Sequence, residues 1–322
     1  MARLLYVLSP AKTLDMALAK TKACTQPTMM SDAHDLVQQL QKLTQAKLKA
    51  LLGVSDALAK LNYDRYQSFD FTTAKSPSSE HKQAALAFNG PAYLGLAAAE
   101  LSDSDLQYTQ GHLRILCGLY GMLRPLDLIQ AYRLEMGQKF ANSRGKDLYA
   151  FWGDSLAKEL NAQLAEDAAK GEAKVLVNVA SQEYFKSIDL AALDEDVQVI
   201  DCVFKDDNKI KSVYAKRARG LMCRYLIQNQ IDSIDGIKAF DLEGYVFDAK
   251  QSDDTSFVFN RSAKAAKEAV EAMRAKAAAA KASKAVAKDE DPEPVIKQSS
   301  DGESVNDTQL VRRSTRKRRK AI

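Results

Sequence analysis

The amino-acid composition changes sharply after Asn260, and this change limits how much of the chain can build a hydrophobic core. Residues 262–288 are mainly Ala and Lys, which gives high helix propensity but no wide apolar stripe to dock on a core. Residues 289–309 are acidic, rich in Ser and contain two prolines, a composition typical of disorder. The sequence therefore predicts one folded body over residues 1–261 and a flexible Lys/Ala-rich tail, partly helical, over residues 262–322.

The charge of the chain divides at the same point. Residues 262–322 hold 15 basic and 9 acidic residues, which leaves 31 basic and 33 acidic residues in the body. A body so close to neutral attracts polyanions weakly at long range, so anion binding there depends on local clustering. The basic cluster at residues 312–320 has seven cations in nine positions. It favours three roles equally: polyanion binding through counterion release, nuclear localisation where the cell has a nucleus, or simple solubility.

Few residues point to metal, redox or membrane chemistry. The three His and four Cys are dispersed without ligand spacing, so we expect no zinc or iron site and no cofactor. Cations near Cys117 and Cys223 favour reactive thiols, but without a resolving cysteine at recognisable spacing, inert half-buried thiols are the better expectation. The first residues do not resemble a secretory leader, and no apolar run approaches the roughly 18 residues of a membrane span. We expect a cytoplasmic protein that does not enter a membrane.

Short apolar runs alternate along the body with segments of helical periodicity. Strand patterns occur at residues 3–8, 174–180, 197–204, 209–215, 245–247 and 256–260. Helical patterns occur at residues 32–62, with a break at Leu52-Gly53-Val54, and at residues 101–110, 154–166 and 216–228. Ser102 and Asp105 have the spacing of a capping box at the start of one of these helices. The interleaving predicts a mixed α/β (α+β) fold in a single domain.

Polar residues follow the first predicted strand. Ser9 and Lys12 lie in the sequence SPAKT, so a hydroxyl and an ammonium group would project from the carboxyl end of that strand, the usual position of a crevice in α/β folds. The phosphate-binding pattern G-x-x-x-x-G-K is absent. Lys12 is suited to contacting a phosphate, to acting as a nucleophile if desolvated, or to an internal salt bridge.

Charged residues cluster again around LRPLDLIQAYRLEMG. Arg124 and Arg133 near Glu135 predict either a clamp for an anion with a general base or a buried Arg–Glu network that holds a loop. Glu183 and Lys186, after the strand pattern at 174–180, add a possible acid or base and another cation. Their convergence with Ser9 and Lys12 would form a basic cleft.

A basic helix is predicted near residue 220. Four cations fall within nine residues, with no acidic residue between them: Lys216, Arg217, Arg219 and Arg224. Arg217 and Arg224 share one helix face, while Lys216 and Arg219 share a neighbouring face. Guanidinium groups bind phosphate and carboxylate with two parallel hydrogen bonds, so the helix is a candidate anion site. The alternative is a solvated surface with one structural arginine.

The break at Gly53 has the hydrophobic-Gly-hydrophobic pattern of a helix-hairpin-helix element. In such a hairpin, backbone N–H groups at the start of the second helix face a DNA phosphate. The same pattern also ends ordinary helices through a glycine cap. The sequence alone leaves both interpretations open.

Four blocks of sequence resemble the YaaA family of peroxide-stress resistance proteins: SPAKTL at residues 9–14, the Gly-, Arg- and aromatic-rich stretch at 112–154, NVASQEYFK at 178–186 and YAKRARGLMCRY at 214–225. The resemblance spans residues 3–261, and the tail departs from it. It implies a cytoplasmic protein of unusual topology that protects cells from hydrogen peroxide, limits damage associated with unincorporated iron and binds duplex DNA. It also implies a helix-hairpin-helix-like element around Gly53.

Three functional hypotheses follow. In the first, duplex DNA is the partner, and phosphate is held by the amides near Gly53 and by Lys12, Arg124, Arg133, Lys186, Lys216, Arg217, Arg219 and Arg224. In the second, the protein is an enzyme for a small anionic substrate such as a nucleotide, in a cleft built from Ser9, Lys12, Arg124, Arg133, Glu135 and Glu183. In the third, the body is a scaffold for a protein partner.

Overall fold

The computed structural model describes residues 2–167 and 172–289. The strands are β1 (Ala2–Leu8), β2 (Thr13–Leu14), β3 (Lys82–Gln83), β4 (Phe88–Asn89), β5 (Leu113–Cys117), β6 (Gly121–Leu123), β7 (Leu128–Ile129), β8 (Ala173–Asn178), β9 (Val197–Asp206), β10 (Val246–Phe247) and β11 (Ser256–Arg261). The helices are α1 (Met30–Gln41), α2 (Gln45–Leu52), α3 (Asp56–Gln67), α4 (Ala84–Ala87), α5 (Pro91–Leu96), α6 (Asp103–His112), α7 (Leu148–Trp152), α8 (Ser155–Asp167), α9 (Gln182–Phe185), α10 (Ser212–Gln228), α11 (Ile234–Lys238) and α12 (Ala263–Asp289). The predicted mixed α/β fold is confirmed.

One seven-stranded sheet organises the body, in the order β10-β11-β9-β8-β1-β5-β6. Its five inner strands are parallel, and an antiparallel strand closes each edge. From β1 the chain passes to β5 on one side, and it then returns to β8 on the other side of β1 and continues outward through β9 to β11. The order therefore reverses between β1 and β8, where the connections leave in opposite directions and open a crevice at the carboxyl ends of the strands.

The inner strands are hydrophobic on both sides. Five consecutive residues of β1, from Leu4 to Leu8, are buried, as are Val175, Leu176 and Val177 of β8. Parallel strands covered on both faces carry continuous apolar runs of this kind rather than an alternating pattern. The runs that predicted strands at 3–8, 174–180 and 197–204 thus mark the centre of the sheet.

Helices α5 and α10 touch backbone to backbone at two glycines. A Cβ atom added to Gly220 of α10 would lie 1.7 Å from the carbonyl oxygen of Ala92 on α5, and one added to Gly95 would lie 2.4 Å from that of Arg217. Only glycine allows so close an approach. The contacts place the second and third turns of α10 directly beside α5.

The structure corrects two local predictions. Residues 209–215 do not form a strand, because Asp207 and Asn208 turn the chain in left-handed conformations and α10 already begins at Ser212. The apolar members of that alternating pattern, Ile210 and Val213, are exposed. The helical stretch at 32–62 is divided into three helices, because the chain also breaks before α2, where Thr44 caps the helix.

The other local predictions correspond to observed elements. The capping box of Ser102 and Asp105 is present at the start of α6, and strands β10 and β11 lie within or close to the predicted ranges. The Ala/Lys-rich segment is helical as far as Asp289. The predicted disordered stretch beyond Asp289 and the basic cluster at residues 312–320 lie outside the described residues.

The chain divides into two compact units, Met1–Ala272 and Met273–Ile322. The first turns of α12 belong to the first unit, where Ala266 and Ala269 are buried. Among the described residues, no helix is long and apolar enough to cross a membrane. Across the same residues, no group of three or more His, Cys, Asp or Glu side chains is placed to hold a metal ion.

Candidate functional site

A cavity of about 500 Å³ lies at the carboxyl ends of β1 and β8, where the strand order reverses. Five segments line it: residues 8–13 after β1, residues 89–93 at the start of α5, residues 132–135 after β7, residues 181–184 around α9, and the side chains of Lys216 and Arg219 on α10. This is the position in which open α/β sheets bind ligands. Of the twelve candidate residues, the cavity brings together Ser9, Lys12, Arg133, Glu135, Glu183, Lys216 and Arg219.

Ser9 joins the two strand ends. Its hydroxyl accepts a hydrogen bond from the backbone N–H of Ser181 at 2.8 Å and donates to the Ser181 hydroxyl at 3.2 Å. The phenol of Tyr93 donates to the Ser9 carbonyl oxygen at 3.1 Å. Ser9 thus links the ends of β1 and β8 in the cavity lining, with its hydroxyl already engaged by Ser181.

Glu135 is the centre of a charged network in the cavity wall. Its carboxylate lies 3.3 Å from Lys12 Nζ and 3.1 Å from Arg133 Nε, and it accepts a hydrogen bond from Gln138 Nε2 at 2.6 Å. The Glu135 side chain is only 10% exposed, whereas that of Lys12 is 64% exposed. Arg133 and Glu135 therefore form the predicted Arg–Glu network, and Lys12 reaches it from the solvent side.

Both the carboxylate and the backbone carbonyl of Glu183 accept hydrogen bonds. Its Oε1 accepts a hydrogen bond from the N–H of Gly137 at 3.0 Å, and its own carbonyl accepts one from the Tyr149 phenol at 2.9 Å. Lys186 lies over the ring of Tyr149, 5.1 Å from its centroid, and is not among the residues that line the cavity. Glu183 thus belongs to the site, while Lys186 lies outside the cavity wall.

Helix α10 divides its four cations between two environments. Lys216 and Arg219 face the cavity, and within the described part of the chain neither has a carboxylate partner. The Nε atom of Arg219 is buried without a hydrogen-bond partner, and burial lowers the pKa of this guanidinium. These two are the unpaired cations of the site.

The other two cations of α10 have internal partners. Arg217 donates to both carboxylate oxygens of Glu243, with Nη2 to Oε1 at 2.6 Å. Arg224 donates to the carbonyls of Leu96 and Ala97, both at 3.2 Å, at the end of α5. Neither lines the cavity. On this face of the helix the arginines bind other parts of the protein, as the alternative to an anion site predicted.

Arg124 is also separated from the cavity. Its guanidinium lies 3.2 Å from the buried Asp127 carboxylate and donates to the carbonyl of Gln26 at 2.9 Å. Burial raises the pKa of Asp127, opposed by hydrogen bonds from Thr25 and Arg124. The clamp predicted from Arg124 and Arg133 together does not form, because the two guanidinium groups join different carboxylates.

Gly53 lies between two packed helices outside the cavity lining. It ends α2 in a left-handed conformation, with φ of 61°, and its N–H donates to the Lys49 carbonyl at 2.9 Å. The Ser55 hydroxyl accepts a hydrogen bond from Leu58 N–H and caps α3. The glycine cap is therefore present at this break, and a short turn connects α2 to α3.

Three of the four thiols are buried. Burial raises the pKa of Cys117 to about 11, although the phenol of Tyr132 lies 2.6 Å from its sulfur. Burial also raises the pKa of Cys202 and Cys223. The nearby cations do not lower these pKa values, and all four cysteines are free.

The sequence did not single out the segment at residues 89–93, which forms one wall of the cavity. Asn89, Gly90 and Pro91 precede a helix of only six residues, too short to produce a clear periodic pattern. The Asn-Gly-Pro triplet signals a turn, and that was the only available clue.

These features define a doubly wound α/β protein with a cavity lined by four cations and two carboxylates at the reversal of strand order. A family model described as peroxide stress protein YaaA matches residues 4–251, and the chain belongs to this family. A UPF0246 protein of Burkholderia orbicola is 50% identical over 263 residues, covering 80% of this chain and 98% of the relative. UPF0246 proteins of Burkholderia mallei and Burkholderia pseudomallei are 49% identical over 267 residues, covering 81% of this chain and all of each relative.

Proposed function

We propose that this protein acts in the cytoplasm during peroxide stress and protects the cell by binding duplex DNA. Membership of a peroxide stress family supports the physiological role. The observation that carries the DNA-binding proposal is the hairpin between α2 and α3, defined here as residues 53–56. Protection then comes from occupying DNA rather than from thiol chemistry on peroxide, because burial raises the pKa values of three of the four cysteines.

The hairpin offers hydrogen-bond donors to a phosphate. In the described chain, the backbone N–H groups of Val54, Ser55 and Asp56 have no acceptor. They lie at the start of α3, a helix of twelve residues whose dipole favours an anion at that end. Lys47, six residues before Gly53 on α2, is exposed without an ion pair among the described residues and adds a positive charge. This combination suits a backbone phosphate, which positions a protein on DNA without reading its sequence.

The hairpin also contains an opposing charge. Asp56 lies in the first turn of α3 and pairs with Lys49 at 2.8 Å, so its carboxylate neutralises a nearby cation. Removing that carboxylate frees Lys49 and eliminates a repulsion of phosphate. We therefore expect Asp56→Asn to tighten duplex binding about fivefold, because a unit charge about 4 Å away contributes roughly 1 kcal/mol in water.

Fluorescence anisotropy of a labelled duplex across a salt series tests this proposal. Lys47→Ala should weaken binding and lower the salt slope by about one, the change expected for one lost phosphate contact. Lys250→Ala is the matched control, because this lysine lies away from both the hairpin and the cavity. If Asp56→Asn and Lys47→Ala behave like Lys250→Ala, the hairpin does not contact DNA.

The cavity favours a second candidate function, an enzyme for a small anionic substrate. Glu135 is a nearly buried carboxylate in the wall of the cavity, beside the exposed ammonium group of Lys12. A carboxylate and an amine in that arrangement are suited to proton transfer. Duplex length separates the two candidates, since a DNA-binding surface gains affinity with length while a cavity saturates with a small ligand.

A further inference from the structure

The cavity has a surplus of positive charge. Its lining includes four cations, Lys12, Arg133, Lys216 and Arg219, and two carboxylates, Glu135 and Glu183. Glu135 contacts both Lys12 and Arg133 and offsets one of their two positive charges. The lining cations that have no carboxylate partner among the described residues are Lys216 and Arg219, both on α10.

The unpaired state of Arg219 requires an explanation. A guanidinium with a buried Nε and no acceptor forfeits hydrogen bonds that water would otherwise provide. Arg217, two residues away, avoids this cost by pairing with Glu243. Since Arg219 points into a cavity, the missing acceptor is best supplied by a ligand that enters it. Lys216, three residues earlier on the same helix, adds a second cation to that end of the cavity.

The two cations indicate the charge of that ligand. A phosphate monoester carries a charge of about −1.5 to −2 at pH 7 and presents three acceptor oxygens, which match one guanidinium and one ammonium group. A phosphodiester of the DNA backbone carries only one negative charge. Arg also suits phosphate because its planar donors form paired hydrogen bonds.

The remaining lining indicates an organic body. A volume of about 500 Å³ greatly exceeds that of a phosphate ion and lies within the range of about 300–1,000 Å³ typical of small-molecule sites. Three nearly buried tyrosines, Tyr93, Tyr132 and Tyr184, are among the lining residues, and aromatic side chains suit contact with nucleic-acid bases. Asn89 and Gln182 add amide groups able to pair with polar ring atoms.

We propose that the cavity binds a phosphate monoester of nucleotide size, with its phosphoryl group between Lys216 and Arg219. This assigns a ligand class to the second candidate function and rests on that candidate's cavity, but it concerns binding and requires no turnover. It is independent of DNA binding at the hairpin. Two sources share this chemistry: a free nucleoside 5′-monophosphate and the 5′-phosphorylated end of a DNA strand.

Isothermal titration of the full-length protein tests the inference, with the four nucleoside 5′-monophosphates as probes and the matching nucleosides and inorganic phosphate as comparisons. We expect at least one monophosphate to bind more tightly than its nucleoside and than phosphate. Affinity should fall below about pH 6, where the phosphate takes up its second proton. Short oligonucleotides with and without a 5′-phosphate distinguish a strand end from a free nucleotide as the source.

Variants locate the binding. Arg219→Ala and Lys216→Ala should each weaken binding about tenfold or more, because a hydrogen bond to a charged group contributes roughly 1.5–3 kcal/mol. Lys211→Ala is the matched control: this exposed lysine precedes the same helix and lies outside the cavity lining. Ala11→Phe, which fills the cavity without removing a charge, should also abolish binding.

The outcomes separate the proposals. Monophosphate binding that is lost in Arg219→Ala and retained in Lys211→Ala supports the inference, even if no reaction follows and the enzyme candidate fails. Preference for a 5′-phosphorylated oligonucleotide alone supports it with a strand end as the ligand. Equal affinity for nucleoside and monophosphate, unchanged affinity in both cavity-cation variants, or no binding of any probe at millimolar concentration would overturn it.

Discussion

Arg217 and Arg219 lie two residues apart on α10, and their surroundings are opposite. Arg217 forms paired hydrogen bonds with Glu243, whereas Arg219 has a buried Nε without an acceptor. Removing one member of a partly buried ion pair leaves the other charge uncompensated, while removing an unpaired charge relieves a desolvation cost. A residue kept in an unfavourable state is typical of a functional site that sacrifices stability.

We therefore predict that Arg219→Met raises the free energy of unfolding by about 1 kcal/mol, as substitutions that relieve strain at functional sites commonly do. Arg217→Met should lower it by about 1–3 kcal/mol, because Glu243 loses its paired donors. Urea unfolding followed by circular dichroism measures both variants under one set of conditions. If Arg219→Met destabilises the protein as much as Arg217→Met, then Arg219 has a structural role and no longer points to a ligand.

For individual residues, the sequence predicted which charged residues line the cavity better than it predicted the hydrogen-bond and ion-pair partners of each. The density of cations near residue 220 correctly marked α10, and helical spacing correctly grouped Lys216 with Arg219. The sequence did not show which cations of α10 have partners inside the protein. Arg217 pairs with Glu243, which lies beyond the end of the helix in sequence and approaches it only after folding. Arg124 was grouped with Arg133 by sequence proximity, but the local turn brings Asp127 to Arg124 instead.

At the scale of secondary structure, the packing of α5 against α10 positions Lys216 and Arg219, the candidate phosphate-binding residues. The second turn of α10 carries Lys216 and Arg219, and the close contact of the next residue, Gly220, with Ala92 holds this part of α10 against α5. Any side chain at this position forces the helices apart, because its Cβ would overlap the Ala92 carbonyl oxygen. The two walls of the cavity would then separate.

We predict that Gly220→Ala costs about 1–3 kcal/mol or more through overpacking and also weakens ligand binding in the cavity. Gly53→Ala is the control, because its Cβ would meet nothing within 4 Å and only the left-handed backbone opposes it. That strain costs roughly 1–2 kcal/mol and should leave cavity binding unchanged. Denaturant unfolding and nucleotide titration of both variants provide the measurement. Unchanged cavity binding in a folded Gly220→Ala protein would contradict this account.

The strength of each sequence signal explains which elements were predictable. The strands at the centre of the sheet are buried on both faces, so their apolar runs were clear. The alternating pattern at residues 209–215 wrongly predicted a strand, because Ile210 and Val213 face solvent and α10 starts at Ser212. Helix α5 produced no signal, because its six residues are held by contact with α10 rather than by their own periodicity.

At the scale of the whole molecule, the position of the cavity follows from strand order. Ser9 and Ser181 are far apart in the chain, yet they meet because β8 pairs with β1 after the chain has crossed back from β5. Local patterns predict that strands exist, but pairing between distant strands is decided by the packing of the complete sheet. The sequence could therefore suggest charged residues for a crevice after β1, but it could not show which of them converge there: Arg133, Glu135 and Glu183 do, and Arg124 does not.

The basic cluster of the tail predicts a contribution to duplex DNA binding that can be separated from the contribution proposed for the body. Removing residues 273–322 removes 13 basic and 7 acidic residues, including the seven cations at 312–320, and leaves the first compact unit. We predict that the full chain binds duplex DNA more tightly than residues 1–272, with a salt slope steeper by up to about 6, since each neutralised phosphate contributes about 0.9. Residues 1–272 should still bind, with an affinity that falls in Lys47→Ala, because the hairpin amides do not depend on the tail.

Anisotropy titrations between about 50 and 200 mM salt measure both slopes. A full-length variant with the seven cations of 312–320 changed to Gln controls for chain length. Loss of all duplex binding in both altered proteins would assign the affinity to the tail and remove DNA binding from the function of the body.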